Sequence, residues 1–142
     1  MLIAPPGTRP LMVTLPFTVQ TYDIDFAQHV NNQVYVRWLE DLRSEVLRQH
    51  LPLDKLMAQN TAPILHSTQI TYHKSIELFD KPEGRMWCSS LGRATMNLEA
   101  EIVVGEKVCA TALQRGILLN IGTTKPVRIP EDLVERYKTA IA

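Results

Sequence analysis

Residues 22–49 read YDIDFAQHVNNQVYVRWLEDLRSEVLRQ, and their texture changes once. Positions 23 to 32 are polar and rich in Asp and Asn, the residue types that make turns and cap helices. From Gln33 to about Gln49 the apolar Tyr35, Trp38, Leu39, Leu42 and Val46 recur at three- and four-residue steps, while Arg37, Asp41, Glu45 and Arg48 lie mainly on the other side. That spacing predicts an amphipathic helix with a substantial stripe to bury. Arg37 and Asp41 are spaced i, i+4, a helix-surface pairing worth roughly 0.3 kcal/mol.

Upstream, LMVTLPFTVQTY (11–22) puts Val13, Leu15, Phe17 and Val19 on one face at period two, which predicts a strand, with Pro16 suggesting an edge or a bulge. Residues 1–10 contain Pro5, Pro6, Gly7 and Pro10 and read as a loose N-terminal arm. Downstream, Leu51-Pro52-Leu53 ends the helix, Asp54 is placed to cap a short helix over 55–59, and Asn60 to Pro63 ends that in turn. Four strand-like segments follow, at about 64–76, 85–93, 96–104 and 107–119. Gly105-Glu106 between the last two is a hairpin connection, so this part of the sheet is expected to be antiparallel. Pro130-Glu131-Asp132-Leu133 reads as the first turn of a C-terminal helix.

One long helix with about five strands is an α+β layout in which the sheet must cover the helix stripe. The far face of such a sheet is bare and is expected to present apolar surface. Association through it, as a homodimer or homotetramer, is therefore expected.

The chain has 142 residues, 45% of them hydrophobic, and its 15 basic and 15 acidic residues cancel. This predicts a single folded domain over 1–142. The absence of a basic excess argues against nucleic acid or a membrane surface as a partner. No run approaches the ~20 apolar residues of a membrane span, and the first ten residues lack the pattern of a secretion signal, so a cytoplasmic location is expected. Cys88 and Cys109, with no CxxC or nearby His pair, are expected to be reduced and packed, with no metal site.

The stretch 22–38 places two carboxylates and an imidazole in a loop that feeds a helix N-terminus. Unbonded N–H groups and a partial positive charge suit an oxygen that becomes negative in a reaction. A neighbouring acid can attack or activate water. Acyl transfer from an activated ester or thioester needs these parts.

The run Tyr22-x-Asp-x-Asp-x-x-x-His-Val-Asn-Asn-x-x-Tyr35-x-x-Trp38 resembles the signature of hotdog-fold acyl thioesterases, in the branch of 4-hydroxybenzoyl-CoA thioesterase and the acyl-ACP (acyl carrier protein) thioesterases. The element order is similar over nearly the whole chain. Gly122-Thr123-Thr124-Lys125-Pro126 followed by Ile129-Pro130 also resembles an ending common in that family. The resemblance implies a hotdog fold, an antiparallel five-stranded sheet wrapped around a long central helix. It also implies hydrolysis of an acyl-CoA or acyl-ACP thioester to a carboxylic acid and a thiol, with no cofactor. It assigns Asp25 as nucleophile or general base, His29 as a group orienting substrate or water, and Asn32 as the donor whose backbone N–H polarises the thioester carbonyl. Asn31 would be a neighbour or cap, and Tyr35 and Trp38 core or acyl-pocket lining. Plant acyl-ACP enzymes place an Asn two residues after the Asp, where this chain has Ala27.

Asp23 reads as structural, bonding backbone within the loop. His66 and His73 are not expected to act in catalysis, nor are the cysteines, which lack a basic neighbour to favour the thiolate. Lys74, Arg85, Arg93 and Arg115 are candidates for meeting CoA phosphates or an acidic carrier. Two other functions fit the fold: a hydratase or dehydratase of acyl thioesters, disfavoured by the position of His29 after Asp25, and a non-catalytic acyl-thioester-binding module.

Overall fold

The computed structural model describes residues 1–142. In chain order it contains β1 (Leu2–Ile3), β2 (Val13–Pro16), a 3-10 turn (Thr21–Asp23), α1 (Asn32–His50), α2 (Leu53–Ala58), β3 (Thr61–Tyr72), β4 (Glu83–Leu91), β5 (Thr95–Val104), β6 (Lys107–Asn120) and α3 (Glu131–Ile141). All strand pairings are antiparallel, in the order β1-β4-β5-β6-β3, with β2 also on β4. The sheet holds α1 against its inner face, which is the hotdog arrangement. The helix stripe accounts for this: Tyr35, Trp38, Leu39, Leu42 and Val46 are each at most 3% exposed. They join one core with Met86, Leu98, Ala100, Ile102, Ala110 and Ala112 of the sheet's inner face.

The approach is closest over Gly84. A Cβ there would lie 2.5 Å from Phe17 Cε2 and 2.9 Å from Leu42 Cδ1. Phe17 in turn stacks on Trp38 at 5.0 Å between ring centres. At the far end α3 docks through Leu133 and Tyr137, and the Tyr137 hydroxyl donates to the Cys88 carbonyl at 3.1 Å. Both cysteines are free and buried, and burial pushes the Cys88 thiol up to about 12. No helix is long and apolar enough to cross a membrane.

Several expectations need correction. The sheet has six strands rather than five, because Leu2–Ile3 pairs with Leu91 and Ser90 of β4. The arm is thus not loose. Its prolines preclude a helix, yet Ala4 N–H bonds the Ser89 carbonyl at 2.9 Å, and Arg9 lies 4.1 Å over the Trp87 ring. The strand expected over 11–22 pairs only at Val13–Pro16, since beyond Pro16 the chain turns Phe17 toward α1. Pro52, not Asp54, occupies the cap position of α2, whose first turn contains Asp54. The sheet's outer face is largely polar: Arg85 and Trp87 on β4, Glu99 and Glu101 on β5 and Thr111 on β6 share it with Leu113. There Arg9 and Arg85 bond Glu101 at 2.8 and 3.1 Å. Burial alone would raise the Glu101 carboxyl, but these two guanidinium groups hold it below its ordinary value.

Candidate active site

The loop before α1 closes on itself. Ile24 and Val30 form an antiparallel bridge, and inside it the Asp25 N–H donates to the His29 carbonyl at 3.0 Å. The Gln28 N–H donates to the Asp25 carbonyl at 2.9 Å, and Gln28 takes φ +68°, a left-handed conformation that reverses the chain. Asp25 Oδ1 accepts the Ala27 N–H at 2.9 Å, the local bond Asp favours in turns. Its other carboxylate oxygen makes no hydrogen bond within the chain. Asp25 and His29 therefore flank the base of one short turn, both partly exposed.

The turn is fixed to the fold from two sides. Val30 N–H donates to the Ile76 carbonyl and Asn31 N–H to the Asp23 carbonyl, each at 2.8 Å. Asp23 is only 1% exposed, and its two oxygens are both engaged: Oδ2 by the Gln20 N–H at 2.9 Å, Oδ1 by Arg37 at 3.1 Å. This is the structural role expected for Asp23. Arg37 thus reaches back to the loop, where it pairs with Asp23, and forms no ion pair with Asp41.

Asn31 is the N-cap of α1. Its side chain accepts the Gln33 N–H at 2.9 Å, and its carbonyl accepts the Val34 N–H at 3.0 Å. The Asn32 N–H is left without an acceptor in the chain, beside the turn and at the positive end of a 19-residue helix. Asn32 is also tied to the sheet edge, because the Tyr72 hydroxyl donates to its carbonyl at 3.3 Å.

The fold thus brings together Asp25, His29, Asn31 and Asn32. It sends Tyr35 and Trp38 inward, to 3% and 2% exposure, so both are core residues in this chain. Tyr35 packs edge-on against Trp38 and Tyr72. Burial, followed by nearby Cys109 and Tyr72, pushes its hydroxyl up to about 12, which keeps it neutral across the physiological range. Of the candidate bases, Arg85 is engaged with Glu101 and Glu83, whereas Lys74, Arg93 and Arg115 form no ion pair. The sequence reading missed Arg37 and Tyr72 as supports of the site. A base in the second turn of a helix, where the dipole offers it nothing, was the available signal for Arg37. Tyr72 carried none.

The solved structures with this fold include a DHNA-CoA thioesterase from Staphylococcus aureus, with a TM-score of 0.80 and 18% identity over 90% of this chain and 89% of that one. Another Staphylococcus aureus protein, solved in complex with CoA, superposes with a TM-score of 0.84 and 15% identity over 99% of this chain and 87% of its own. YbaW, a probable thioesterase from Escherichia coli, gives a TM-score of 0.75 and 22% identity over 92% and 98%. At such identities these likenesses establish the fold. No curated protein sequence matches the chain. The model of the thioesterase-like superfamily matches residues 19–137, most of the chain and all of the loop and helix just described, so this protein is a member of the thioesterase-like superfamily.

Proposed function

We propose that the protein hydrolyses an acyl-CoA or acyl-ACP thioester, with Asp25 as the catalytic carboxylate. The observation that carries this reading is the turn at the helix start: a carboxylate with one oxygen anchored and one free, beside an uncommitted N–H on Asn32. The thioester carbonyl accepts that N–H, and the helix dipole favours the negative charge that forms on its oxygen. Asp25 then acts in one of two ways. As general base it takes a proton from a water that attacks the carbonyl carbon; the C–S bond breaks, and the thiolate leaves with its electron pair and is protonated from solvent. As nucleophile it first displaces the thiolate to give a mixed anhydride, which water then cleaves. His29, across the base of the turn, orients the water or the thioester. Asn31 serves as the cap that shapes the site.

The presence of CoA in a structural relative favours CoA as the carrier. A second copy of the chain completes the working unit. β3 is an edge strand twelve residues long, with an exposed run from Ile64 to Gln69, and such an edge is a template for pairing. Antiparallel pairing of two β3 edges gives a continuous sheet across a homodimer. The test is release of free thiol from acyl-CoA and acyl-ACP substrates by the wild-type protein and Asp25→Asn, with binding followed separately. Hydrolysis by the wild type alone, with binding retained in both, is expected. Equal hydrolysis by the two proteins refutes the assignment.

A further inference from the structure

Apart from the apolar side that Leu133 and Tyr137 bury, α3 is tied to the fold by side-chain hydrogen bonds. One runs from the Tyr137 hydroxyl to the Cys88 carbonyl. The other two both come from Arg136 and both end on His50, the last residue of α1. Arg136 Nη1 lies 3.1 Å from the ring Nδ1 of His50, and Nη2 donates to its main-chain carbonyl at 3.0 Å. α3 also covers the beginning of the chain, because Val134 and Lys138 share a cleft with Leu2 of β1 and Leu91 of β4.

The Arg136 contact fixes the protonation of the ring. A guanidinium donates and never accepts, so Nδ1 must offer its lone pair and the ring proton must sit on Nε2. Nε2 is enclosed, and it alone among the buried side-chain nitrogen and oxygen atoms has no hydrogen-bond partner. Native chains retain few such groups, and each marks strain or function. A second proton can enter the ring only at Nδ1. Its N–H would then face an N–H of Arg136 across 3.1 Å, two donors with no acceptor between them and two positive charges besides.

That contact has to open, and both partners have somewhere to go. Arg136 is exposed, so its guanidinium can move into water at little cost. His50 stands in the last turn of a 19-residue helix, whose negative end favours a cation. From the arm, the Leu11 carbonyl also favours the protonated ring, but burial and the Arg136 charge outweigh it and hold the imidazole below its ordinary value. On the two helices Arg48 pairs with Glu45 and Lys138 with Glu135, and of the surrounding charges only Arg136 bears on the ring.

We propose that His50 and Arg136 form a proton-operated latch on the C-terminal helix. With the ring neutral, Arg136 clamps α3 to the end of α1. With the ring protonated, the clamp opens and α3 loosens from the sheet, uncovering the apolar side of Leu133 and Tyr137. The Asp25 turn stands at the opposite end of α1, about 27 Å away at 1.5 Å per residue, so the latch works apart from the groups assigned to catalysis.

Hydrogen exchange read by mass spectrometry on the whole chain tests this between pH 8 and 5.5, with rates corrected for the intrinsic pH dependence of amide exchange. Uptake of one proton by the opened state raises the opening constant by at most about tenfold per pH unit. Protection of α3 should therefore be constant above about pH 7 and fall by about three- to tenfold at pH 5.5, with α3 exchanging faster there than the β5–β6 hairpin. His50→Gln takes up no proton and keeps an acceptor for Arg136, so protection of α3 should lose its pH dependence. Arg136→Gln should also flatten it, since the amide can donate to the neutral ring and accept from the protonated one. Flat protection of α3 in the wild type overturns the latch, and so does a fall that persists unchanged in His50→Gln. Should either variant fail to fold, the wild type decides alone: protection of α3 and of the β5–β6 hairpin falling together to the same value assigns the proton to global unfolding and refutes the latch.

Discussion

The pair between Asp23 and Arg37 is the support most exposed to a quantitative test. Asp23 is 1% exposed and Arg37 about half exposed, at 51% for its side chain. Exposed ion pairs contribute about 0–1 kcal/mol. Removing one partner of a fully buried pair costs about 3–5 kcal/mol, because the remaining charge is stranded. Arg37→Ala falls between these limits: the stranded carboxylate keeps the Gln20 N–H, and water can reach the space the guanidinium leaves. The expected destabilisation is about 2 kcal/mol, roughly thirtyfold in the folding equilibrium. Asp23→Asn should cost a similar amount, since the amide loses the charge yet can still accept the Gln20 N–H. Urea unfolding at one fixed protein concentration measures both, and the double variant supplies the coupling. Because the two side chains act on one another, the double variant should lose at least about 1 kcal/mol less than the sum of the singles. Single variants each within about 0.5 kcal/mol of wild type, or strictly additive losses, would show that the ion pair does not anchor the loop.

Other consequences are as specific. Gly84→Ala puts a methyl against Phe17 and Leu42 at 2.5 and 2.9 Å, and should destabilise the fold by about 1–3 kcal/mol in the same unfolding assay. A stability change below about 0.3 kcal/mol would mean that α1 sits less tightly over β4 than described. His50 gives a pH signature. Burial, then the neighbouring Arg136 charge, holds its imidazole below the ordinary value of 6.5, and its Nε2 is buried without a partner. Below that pH the unfolded chain takes up a proton that the folded chain resists. The stability this neutral imidazole contributes is therefore complete above 6.5 and is lost as pH falls through 6.5 toward the depressed folded value. The loss is at most about 1.4 kcal/mol per pH unit, and His50→Gln should flatten that limb of the stability curve. An unchanged limb refutes the assignment.

The layout was readable because its signals are local and periodic. The α1 stripe has a period near 3.6, and Gly105-Glu106 marks a hairpin whose Gly105 indeed takes φ +61°. What escaped depended on distant partners. Nothing in residues 2–3 announces that they will find β4, and a Pro-rich segment needs no regular structure to be pinned by Ala4 and Arg9. The outer sheet face was misjudged because alternation assigns a face to each residue only once strand register is known. A bulge between Cys88 and Ser90 shifts that register partway along β4. In the site, Asp25, His29, Asn31 and Asn32 lie within eight positions, so sequence proximity reveals the group. Arg37 and Tyr72 join it only through a side chain reaching back fourteen residues and a strand returning forty residues later.

The most direct test of the account is the specificity constant of Asp25→Asn against wild type for octanoyl-CoA, followed by thiol release, with S-octyl-CoA affinity measured on both proteins. Losing the carboxylate should lower the specificity constant by at least about a thousandfold, roughly 4 kcal/mol of transition-state stabilisation, while the thioether binds both with nearly equal affinity. Wild-type hydrolysis that survives in Asp25→Asn to within tenfold would contradict the claim that this turn carries the chemistry.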